Sequence, residues 1–313
     1  MNSSRHFSRR KFLKASSLAS IPLVTGCCNR QGHQGPGHID AHVHVWTSDT
    51  ARYPIDTGFQ VSEMQPASFT PEQLFTHTRL NGVDRVVLIQ MSYYGFNNEY
   101  MLESLRRFPK VFSGVAIVDE CAPRVEERMK ALGREGVRGF RIHAATQPAR
   151  DWLNSPGMAS MWKVAADQTL AICPLMNPGA LPALTDMCQR FLRTRVVIDH
   201  FARIGVDGQV RNEQVDALCR LAEFPNTYVK TSAFYALGLK KAPYTDLGPM
   251  IRRLRDAFGA QRLMWASDCP FQVDPGHNYT DSIALIRDRL GFLTASDREW
   301  MLRRTAETVF FHS

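Results

Sequence analysis

The chain has 313 residues, of which 44% are hydrophobic and 22% are charged, and its formal net charge is +8. This composition excludes a disordered, collagen-like or coiled-coil protein, and no apolar run approaches the ~18 residues of a transmembrane helix. The length suits either two domains or one large α/β barrel of about 250 residues with additions.

The positive charge is concentrated at the N-terminus. Five basic residues and no acidic residue precede residue 27, namely Arg5, Arg9, Arg10, Lys11 and Lys14. The remainder of the chain has no long basic run and no basic patch interleaved with aromatic residues. We therefore expect no nucleic-acid partner.

The first 27 residues have the order of an export signal. Residues 8–14 read Ser-Arg-Arg-Lys-Phe-Leu-Lys, an apolar or small-residue stretch follows, and the segment ends in Val-Thr-Gly-Cys at Cys27. A charged region, an apolar region and a small-residue cleavage zone are typical of such signals. The pattern resembles a twin-arginine signal, and its last four residues resemble a lipoprotein cleavage box.

These patterns divide the chain into a signal over 1–27, a flexible tether over 28–37 and one domain over 38–313. We expect the twin-arginine export machinery to carry the protein to the periplasm or another extracytoplasmic compartment. Membrane contact would occur only through acyl chains on Cys27. Simple cleavage nearby, without a lipid anchor, is the open alternative.

From His38 onward, short apolar runs alternate with helical patterns, and each run predicts a buried parallel strand. The predicted strands span 38–46, 83–90, 111–119, 137–144, 170–177, 195–203, 227–235 and 262–271. Eight βα units predict an α/β fold, a single-domain (β/α)8 TIM barrel. A doubly wound open sheet is the alternative, but no Gly-rich phosphate loop follows the first strand to support it.

Helix signals lie between these strands. Pro71, Pro123 and Pro156 are expected at helix starts, and Pro182 within the first turn of another helix. Ser296 and Glu299 read as a capping box for a final helix that ends near Phe311. The irregular segment over 47–69 is too long for a plain connection, so we expect it to form part of a lid over the barrel mouth.

Polar residues occur at the predicted carboxyl ends of the strands, which converge on one mouth in this fold. Two pairs are His42 with His44 and Arg141 with His143, and the members of each pair face the same way because they are two residues apart on a strand. His200 and Asp268 stand at the predicted ends of two other strands. A cluster of imidazoles beside a carboxylate can bind a metal ion or polarise a carbonyl group. The sequence therefore predicts an active site at this mouth.

Two chemistries are open for this cluster. One divalent ion such as zinc could be held by His42, His44 and Asp268, with His200 or His143 as a further ligand. Without a metal, a water nucleophile needs a general base. Partial desolvation would then raise the pKa of Asp268 toward neutrality.

Other side chains, and His143 as well, are candidates for substrate contacts. Arg141 and Arg203 could bind a substrate carboxylate through their guanidinium groups, although Arg141 could equally pair with an acid on a neighbouring strand and Arg203 could be solvated. Lys230 is expected to be structural or to face solvent. Tyr93, Tyr94 and Tyr235 could line the pocket or pack in the core.

Four segments carry a family resemblance. They are His38-Ile-Asp-Ala-His-Val-His-Val-Trp46, Gly136-Val-Arg-Gly-Phe-Arg141, Val197-Ile-Asp-His200 and Leu263-Met-Trp-Ala-Ser-Asp-Cys-Pro-Phe271. Their order and content resemble the amidohydrolase-related family of TIM-barrel hydrolases. The pattern is most similar to the branch of lactonases that act on sugar lactones and on 2-pyrone-4,6-dicarboxylate.

The resemblance implies roles for the clustered residues. Asp268 would deprotonate the attacking water, while His42, His44 and His200 would surround and polarise the lactone carbonyl; such enzymes can work without a metal, so no cofactor is expected to be required. A two-metal site would need a carboxylated Lys on the fourth strand and a His on the fifth. This chain has Arg141 and His143 on the fourth strand and the segment from Cys173 to Asn177 on the fifth.

The resulting hypothesis is a hydrolase that opens a lactone or similar cyclic ester of a small organic acid by Asp-activated water. The alternative enzyme is a single-zinc amidohydrolase or decarboxylase that acts on an aromatic or amide substrate. A third interpretation is a binding lipoprotein without catalysis. A base placed among imidazoles speaks against it, because a binding module has no need of one.

Overall fold

The computed structural model describes residues 37–143 and 149–312, except that only the backbone of residues 150 and 153 is described. The predicted signal, Cys27 and all of the predicted tether except Gly37 lie outside the described residues, as does the last residue of the fourth predicted strand. Among the described residues, no helix is both long enough and apolar enough to span a membrane.

The strands form one parallel eight-stranded sheet in which each strand pairs with the next in sequence. They are β1 His38–Val43, β2 Val83–Ile89, β3 Phe112–Ala116, β4 Val137–His143, β5 Ala171–Leu175, β6 Arg195–Ile198, β7 Thr227–Thr231 and β8 Leu263–Trp265. Val43 bridges Cys269 in parallel fashion, and the Asp268 amide donates to the His42 carbonyl oxygen at 2.9 Å. These contacts join the last strand to the first, which confirms the predicted TIM barrel.

The described helices surround the sheet. They are α1 Pro71–Thr78, α2 Glu99–Arg107, α3 Val125–Arg134, α4 Pro156–Asp167, α5 Leu181–Arg190, α6 Asn212–Arg220, α7 Gly248–Phe258, α8 Tyr279–Ala284, α9 Ala295–Glu299 and α10 Thr305–Phe310. Pro71 and Pro156 begin their helices, and Pro182 lies in the first turn of α5, as expected. Pro123 does not begin a helix, because α3 starts two residues later.

The capping box lies two residues earlier than predicted, at the start of α9. Thr294 Oγ1 accepts from the Asp297 amide at 3.0 Å, and Asp297 Oδ2 accepts from the Thr294 amide at 2.9 Å. The pattern of a hydroxyl residue and an acid three positions later occurs twice here, and the earlier pair caps α9. The π-helical segment Trp300–Arg304 continues into α10.

The amino-terminal end of the barrel is closed by α10. Val309 and Phe310 pack with interior strand residues such as Ile39, Val87 and Val197. Arg195 Nη1, at the start of β6, donates to the Val309 carbonyl oxygen at 3.4 Å. Because this end is sealed by apolar packing, the carboxyl ends of the strands are the side available for chemistry.

Most of the predicted strands run past their observed ends, and the overrun is largest after β6 and β8, where left-handed backbone follows. After β6, four consecutive non-glycine residues from His200 to Arg203 have φ between 51° and 58°. After β8, Asp268 has a φ of 65°. Left-handed φ costs an L-residue roughly 1–2 kcal/mol, and such residues persist where the surrounding structure holds them, often at functional sites.

The segment over 47–69 is irregular, as expected, apart from one short 3-10 turn at Val61–Glu63. Its ends are joined by an antiparallel bridge between Trp46 and Phe69. Tyr93 holds its middle, because the phenol donates to the Glu63 carbonyl oxygen at 2.8 Å.

Candidate active site

Three histidines meet at the carboxyl end of the barrel. His42 and His44 extend from the end of β1, and their Nε2 atoms are 3.2 Å apart. The His200 ring lies 4.3 Å from the His42 ring, centroid to centroid, and its Nδ1 contacts Ser232 Oγ at 2.8 Å. All three residues are buried. The structure therefore brings together the three imidazoles predicted from sequence.

Hydrogen-bond partners assign protons to two of these rings. His44 Nδ1 lies 3.0 Å from the Ile89 carbonyl oxygen, so Nδ1 donates and the neutral ring keeps a lone pair on Nε2. Arg141 Nη2 lies 3.0 Å from His42 Nε2, and a guanidinium can only donate, so Nε2 accepts. His42 Nδ1 then carries the proton and faces Asp199 Oδ1 at 3.4 Å, with Lys230 Nζ at 3.3 Å from the same nitrogen. Two imidazole lone pairs thus point into the same space.

Asp268 completes this group. Its Oδ1 lies 3.4 Å from His42 Nε2 and 3.5 Å from His44 Nε2. Tyr235 donates from its phenol to Oδ2 at 2.7 Å, whereas the buried Oδ1 has no hydrogen-bond partner in the described part of the chain. The two nitrogens and this oxygen form a triangle of acceptor atoms, which we call the acceptor triangle.

The sequence-based expectation for the pKa of Asp268 is wrong in direction. Burial alone raises the pKa of this carboxyl, but the surrounding imidazoles of His200, His42 and His44 outweigh burial and lower it below its ordinary value. Asp268 is therefore ionised at neutral pH. It can accept a proton without first having to lose one.

The pKa values of three imidazoles lie below the ordinary 6.5, so the charge that they lend to Asp268 is not permanent. Burial, followed by the charge of Lys230, holds the pKa of His42 well below 6.5. Burial lowers the pKa of His200, and burial followed by the charge of Arg141 lowers that of His143 to about 4. Permanent positive charge in the site must come from other groups.

Two such groups lie beneath the histidines, and both contact Asp199. Lys230 Nζ lies 3.0 Å from Asp199 Oδ1, and Arg141 Nη2 lies 3.1 Å from Asp199 Oδ2. Burial raises the pKa of Asp199, but the charge of Lys230 and other neighbours outweighs burial and holds it well below the ordinary range. We call Lys230, Asp199 and Arg141 the charged triad. Lys230 is fully buried, so the expectation that it could face solvent is wrong.

A further carboxyl group, Asp40, ties β1 to the end of β8. Its Oδ1 accepts from the backbone amides of His42 at 3.2 Å and Ser267 at 2.9 Å, and its Oδ2 accepts from the Tyr279 phenol at 2.7 Å. Burial raises its pKa from 3.8 to about 6. Asp40 thus fixes the backbone on which His42 and Asp268 are carried.

A cavity of about 320 Å³ opens onto this cluster. Its polar lining residues are His44, Ser92, Arg141, His200, Arg203, Tyr235 and Asp268, and its apolar ones are Met91, Leu175, Ala233, Ala236, Leu237 and Phe271. None of residues 47–69 is among them, so the expected lid does not form a wall of this cavity. The cavity is polar around Asp268 and apolar along one side.

The predicted substrate-contacting residues fall into two groups. Arg141, Arg203 and Tyr235 line the cavity. Tyr93 does not line it, because its ring packs between Trp46 and Phe59. Its neighbours Met91 and Ser92 line the cavity instead.

Tyr94 and His143 are also absent from the cavity lining. The Tyr94 phenol accepts from the Thr47 amide at 3.0 Å and so supports the 47–69 segment. His143 is half-buried at the end of β4.

Asp199 and Lys230 could have been identified only in part from sequence. Asp199 precedes His200 in the quoted motif, and Lys230 lies within the predicted seventh strand. Asp40 stands two residues before His42. The missing information was which strands bring their side chains to the same level inside the barrel.

The residues also fit a single metal ion. His42, His200 and Asp268 each offer one ligand atom, and these atoms lie within 4.8 Å of one another. The edges of the acceptor triangle are 3.2, 3.4 and 3.5 Å long. Ligand atoms of a tetrahedral zinc site with bonds of about 2.1 Å are about 3.4 Å apart. Zinc would be held by His42 and Asp268, with His44 or His200 as the third ligand, and would supply a Lewis acid there.

Comparison with known proteins agrees with this geometry. The amidohydrolase family model matches residues 39–311. The chain belongs to the amidohydrolase family. It is 29% identical over 245 residues to an L-fucono-1,5-lactonase of Burkholderia ambifaria. The aligned region covers 76% of this chain and 82% of the relative.

Two further comparisons extend this result. A 4-sulfomuconolactone hydrolase of Rhizobium radiobacter is 25% identical over 240 residues, covering 75% of this chain and 76% of the relative. The crystal structure of an amidohydrolase from Burkholderia multivorans with bound zinc has a TM-score of 0.74 at 21% identity, covering 88% of this chain and 99% of that one. The structural likeness confirms the fold of this amidohydrolase.

Replacing Asp40 by Asn should change the pH dependence of stability. In the unfolded chain Asp40 ionises near 3.8, but in the folded amidohydrolase it ionises only near 6. Its contribution to stability is therefore complete at low pH and is lost as the pH rises through that interval. Relative to Asp40→Asn, the wild-type free energy of unfolding should fall by on the order of 3 kcal/mol across this range.

Urea denaturation at several pH values measures this difference. Asp186→Asn, on the exposed side of α5, is the matched control and should follow the wild type. An identical pH dependence in wild type and Asp40→Asn would show that Asp40 does not titrate as described.

Proposed function

We propose that the chain hydrolyses a lactone of a small organic acid, with Asp268 as the base that activates water. The observation that carries this proposal is the acceptor triangle at the floor of the cavity, with its unpartnered Asp268 Oδ1. The two relatives named above are both lactone hydrolases by name, which supports the same reaction class.

The triangle suits one water molecule. Three acceptors separated by 3.2–3.5 Å can receive both hydrogens of a single water above them. Asp268 takes one proton as the water oxygen attacks the lactone carbonyl carbon, and the ring C–O bond then breaks. The ring oxygen receives the proton, so that water and lactone yield one hydroxy acid.

This geometry divides the roles that the family resemblance assigns to the histidines. His42 and His44 present lone pairs and therefore hold the water rather than donate to the carbonyl oxygen. Ser232 Oγ lies 2.8 Å from His200 Nδ1 and 3.5 Å from the Lys230 carbonyl oxygen. We assign the hydroxyl hydrogen to the shorter contact, so His200 can donate from Nε2 and is the imidazole that we assign to the carbonyl oxygen.

We propose that the substrate carries an anionic group in addition to its lactone. Arg203 lines the cavity and contacts the amide oxygen of Asn177 at 3.0 Å, and no carboxylate of the described residues pairs with it. The sequence also suggested Arg141 for this role. Its Nε and Nη2 already contact Asp199, which prevents a two-point grip on a substrate carboxylate, so we assign the anionic group to Arg203.

Replacing Asp268 by Asn should lower kcat for lactone hydrolysis by about 10²–10⁴-fold, the usual contribution of a general base. The assay is a panel of five- and six-membered lactones with and without a second carboxylate, followed by proton release. Asp274→Asn, exposed on the next loop, should keep wild-type activity. Equal loss in both variants, or full activity of Asp268→Asn, would contradict the proposal.

A second candidate is a single-zinc hydrolase or decarboxylase, favoured by the edge lengths of the acceptor triangle. We favour the metal-free enzyme for a reason of charge. The charged groups that contact the imidazoles already balance, because Arg141 and Lys230 oppose Asp199 and Asp268. A divalent ion would add two uncompensated charges to a buried site.

Metal analysis of the full chain, purified without chelators, separates the two candidates. We expect no stoichiometric zinc or manganese and no loss of lactone hydrolysis after chelation. One ion per chain, together with activity that a chelator removes and zinc restores, would establish the second candidate.

We also propose export by the twin-arginine route with a lipid on Cys27, supported by the motif at residues 8–14 and the Val-Thr-Gly-Cys box. Mass spectrometry of the mature protein should find an acylated N-terminal Cys27. Cys27→Ser should abolish acylation and Cys28→Ser should not. A mature N-terminus at another residue would contradict lipidation, and export of an Arg9→Lys, Arg10→Lys double variant would contradict the route.

A further inference from the structure

We propose that the charged triad of Lys230, Asp199 and Arg141 acts as one buried, positively charged unit that stabilises the oxyanion formed at the lactone carbonyl. Arg141 is the member that faces the cavity and touches the oxyanion. Lys230 is a positioning residue that acts through Asp199. This inference rests on the proposed lactone hydrolysis and adds a second, electrophilic side to the site.

One carboxylate in the triad serves two cations. Lys230 Nζ lies 3.0 Å from Asp199 Oδ1, while Arg141 approaches Oδ2 through Nη2 at 3.1 Å and Nε at 3.3 Å. A triad of two cations and one anion has a net charge of +1. Lys230 Nζ also lies 5.5 Å from the centroid of the Phe310 ring, a cation–π contact that adds no opposing charge.

The excess charge is not screened by bulk water. Lys230 and Asp199 are fully buried and Arg141 is only 4% exposed. Charges interact much more strongly in such surroundings than in water. In the resting site the compensating charge is the Asp268 carboxylate. It reaches the triad through His42, whose Nε2 contacts both Arg141 Nη2 at 3.0 Å and Asp268 Oδ1 at 3.4 Å.

The proposed reaction moves this negative charge without changing its total. When Asp268 takes a proton from the attacking water it becomes neutral, and the carbonyl oxygen gains the negative charge at the same step. The triad, which paired with Asp268 before the step, then pairs with the oxyanion. Because its charges are fixed in advance, little reorganisation is needed when the oxyanion forms.

The imidazoles do not supply this charge. His42 and His44 present lone pairs toward the acceptor triangle, and neutral His200 offers one N–H at most. Arg141 lines the cavity beside them. It is therefore the fixed cation within reach of the reacting carbonyl.

Lys230→Met tests the unit, because Met keeps the apolar contact with Phe310 and removes one charge. The net charge of the triad falls from +1 to 0, and we expect kcat to fall by about 10²-fold or more, the usual effect of losing an oxyanion-stabilising group. KM should change little, because the oxyanion exists only after attack. Circular dichroism and thermal unfolding check that the variant is folded.

The decisive variant restores the charge without restoring the lysine. Lys230→Met with Asp199→Asn leaves Arg141 alone, again at +1, and should recover at least about tenfold in kcat over Lys230→Met. A merely structural role for Lys230 predicts a double variant that is no better than the single one. Unchanged kcat in Lys230→Met, or no recovery in the folded double variant, overturns the inference.

A second measurement needs neither turnover nor a Lys230 variant. Asp268→Asn removes the compensating carboxylate, so a small anion should bind beside Arg141. Crystals of Asp268→Asn in sodium bromide should show an anomalous peak there, and wild-type crystals should not. A peak in neither protein, or in both, overturns the inference.

The two hypotheses fail separately. Wild-type protein that hydrolyses no lactone of the panel contradicts the proposed function, while the bromide result still decides whether the triad is an uncompensated positive unit. Wild-type activity with an unaffected Lys230→Met contradicts the inference alone.

Discussion

The carboxylate of Asp199 holds two cations inside the barrel, and the rest of the site depends on that arrangement. A lysine and an arginine deprived of water each cost several kcal/mol unless a partner compensates them. Asp199 contacts both, at 3.0 and 3.1 Å. His42 then rests on the triad, and His44 and Asp268 pack against His42. Loss of Asp199 alone would leave two unpaired charges under the acceptor triangle.

The second constraint is closure of the sheet where the catalytic groups stand. β1 and β8 meet just beyond β8 itself, through the Asp268 amide and the His42 carbonyl. The same residues carry the base and one of the imidazoles. Asp40 reinforces this closure from the other side, through the amides of His42 and Ser267. The same residues therefore close the barrel and build the site.

Much of the fold could be predicted from sequence, because short apolar runs of strand length recur eight times with helix signals between them. The starts of the strands agree closely with the structure. The predicted ends are too late for most strands, and most of all after β6 and β8, where the backbone turns left-handed at His200 and Asp268. Neither turn contains the glycine that would have marked it, because surrounding contacts rather than local preference hold these residues there.

The sequence predicted the site residues that are brought together by spacing along one strand or by motif order. It did not predict the contacts that depend on how deep two side chains from different strands lie inside the barrel. Alternation along one strand places His42 with His44, and motif order brings in His200 and Asp268. The pairing of Arg141 with Asp199 joins β4 to β6 across the barrel interior, and no local pattern contains that distance. The pKa of Asp268 was mispredicted for the same reason: neighbouring side chains from other strands lower it, although burial alone would raise it.

The position of α10 has a consequence for how the active site is supported. Phe310 lies beneath Lys230, and the α10 backbone accepts from the start of β6. The floor of the active site is thus built from the last helix of the described chain. If α10 undocked, the inner charges would be open to water from below. Catalytic competence therefore depends on the docking of this helix at the opposite end of the barrel from the cavity.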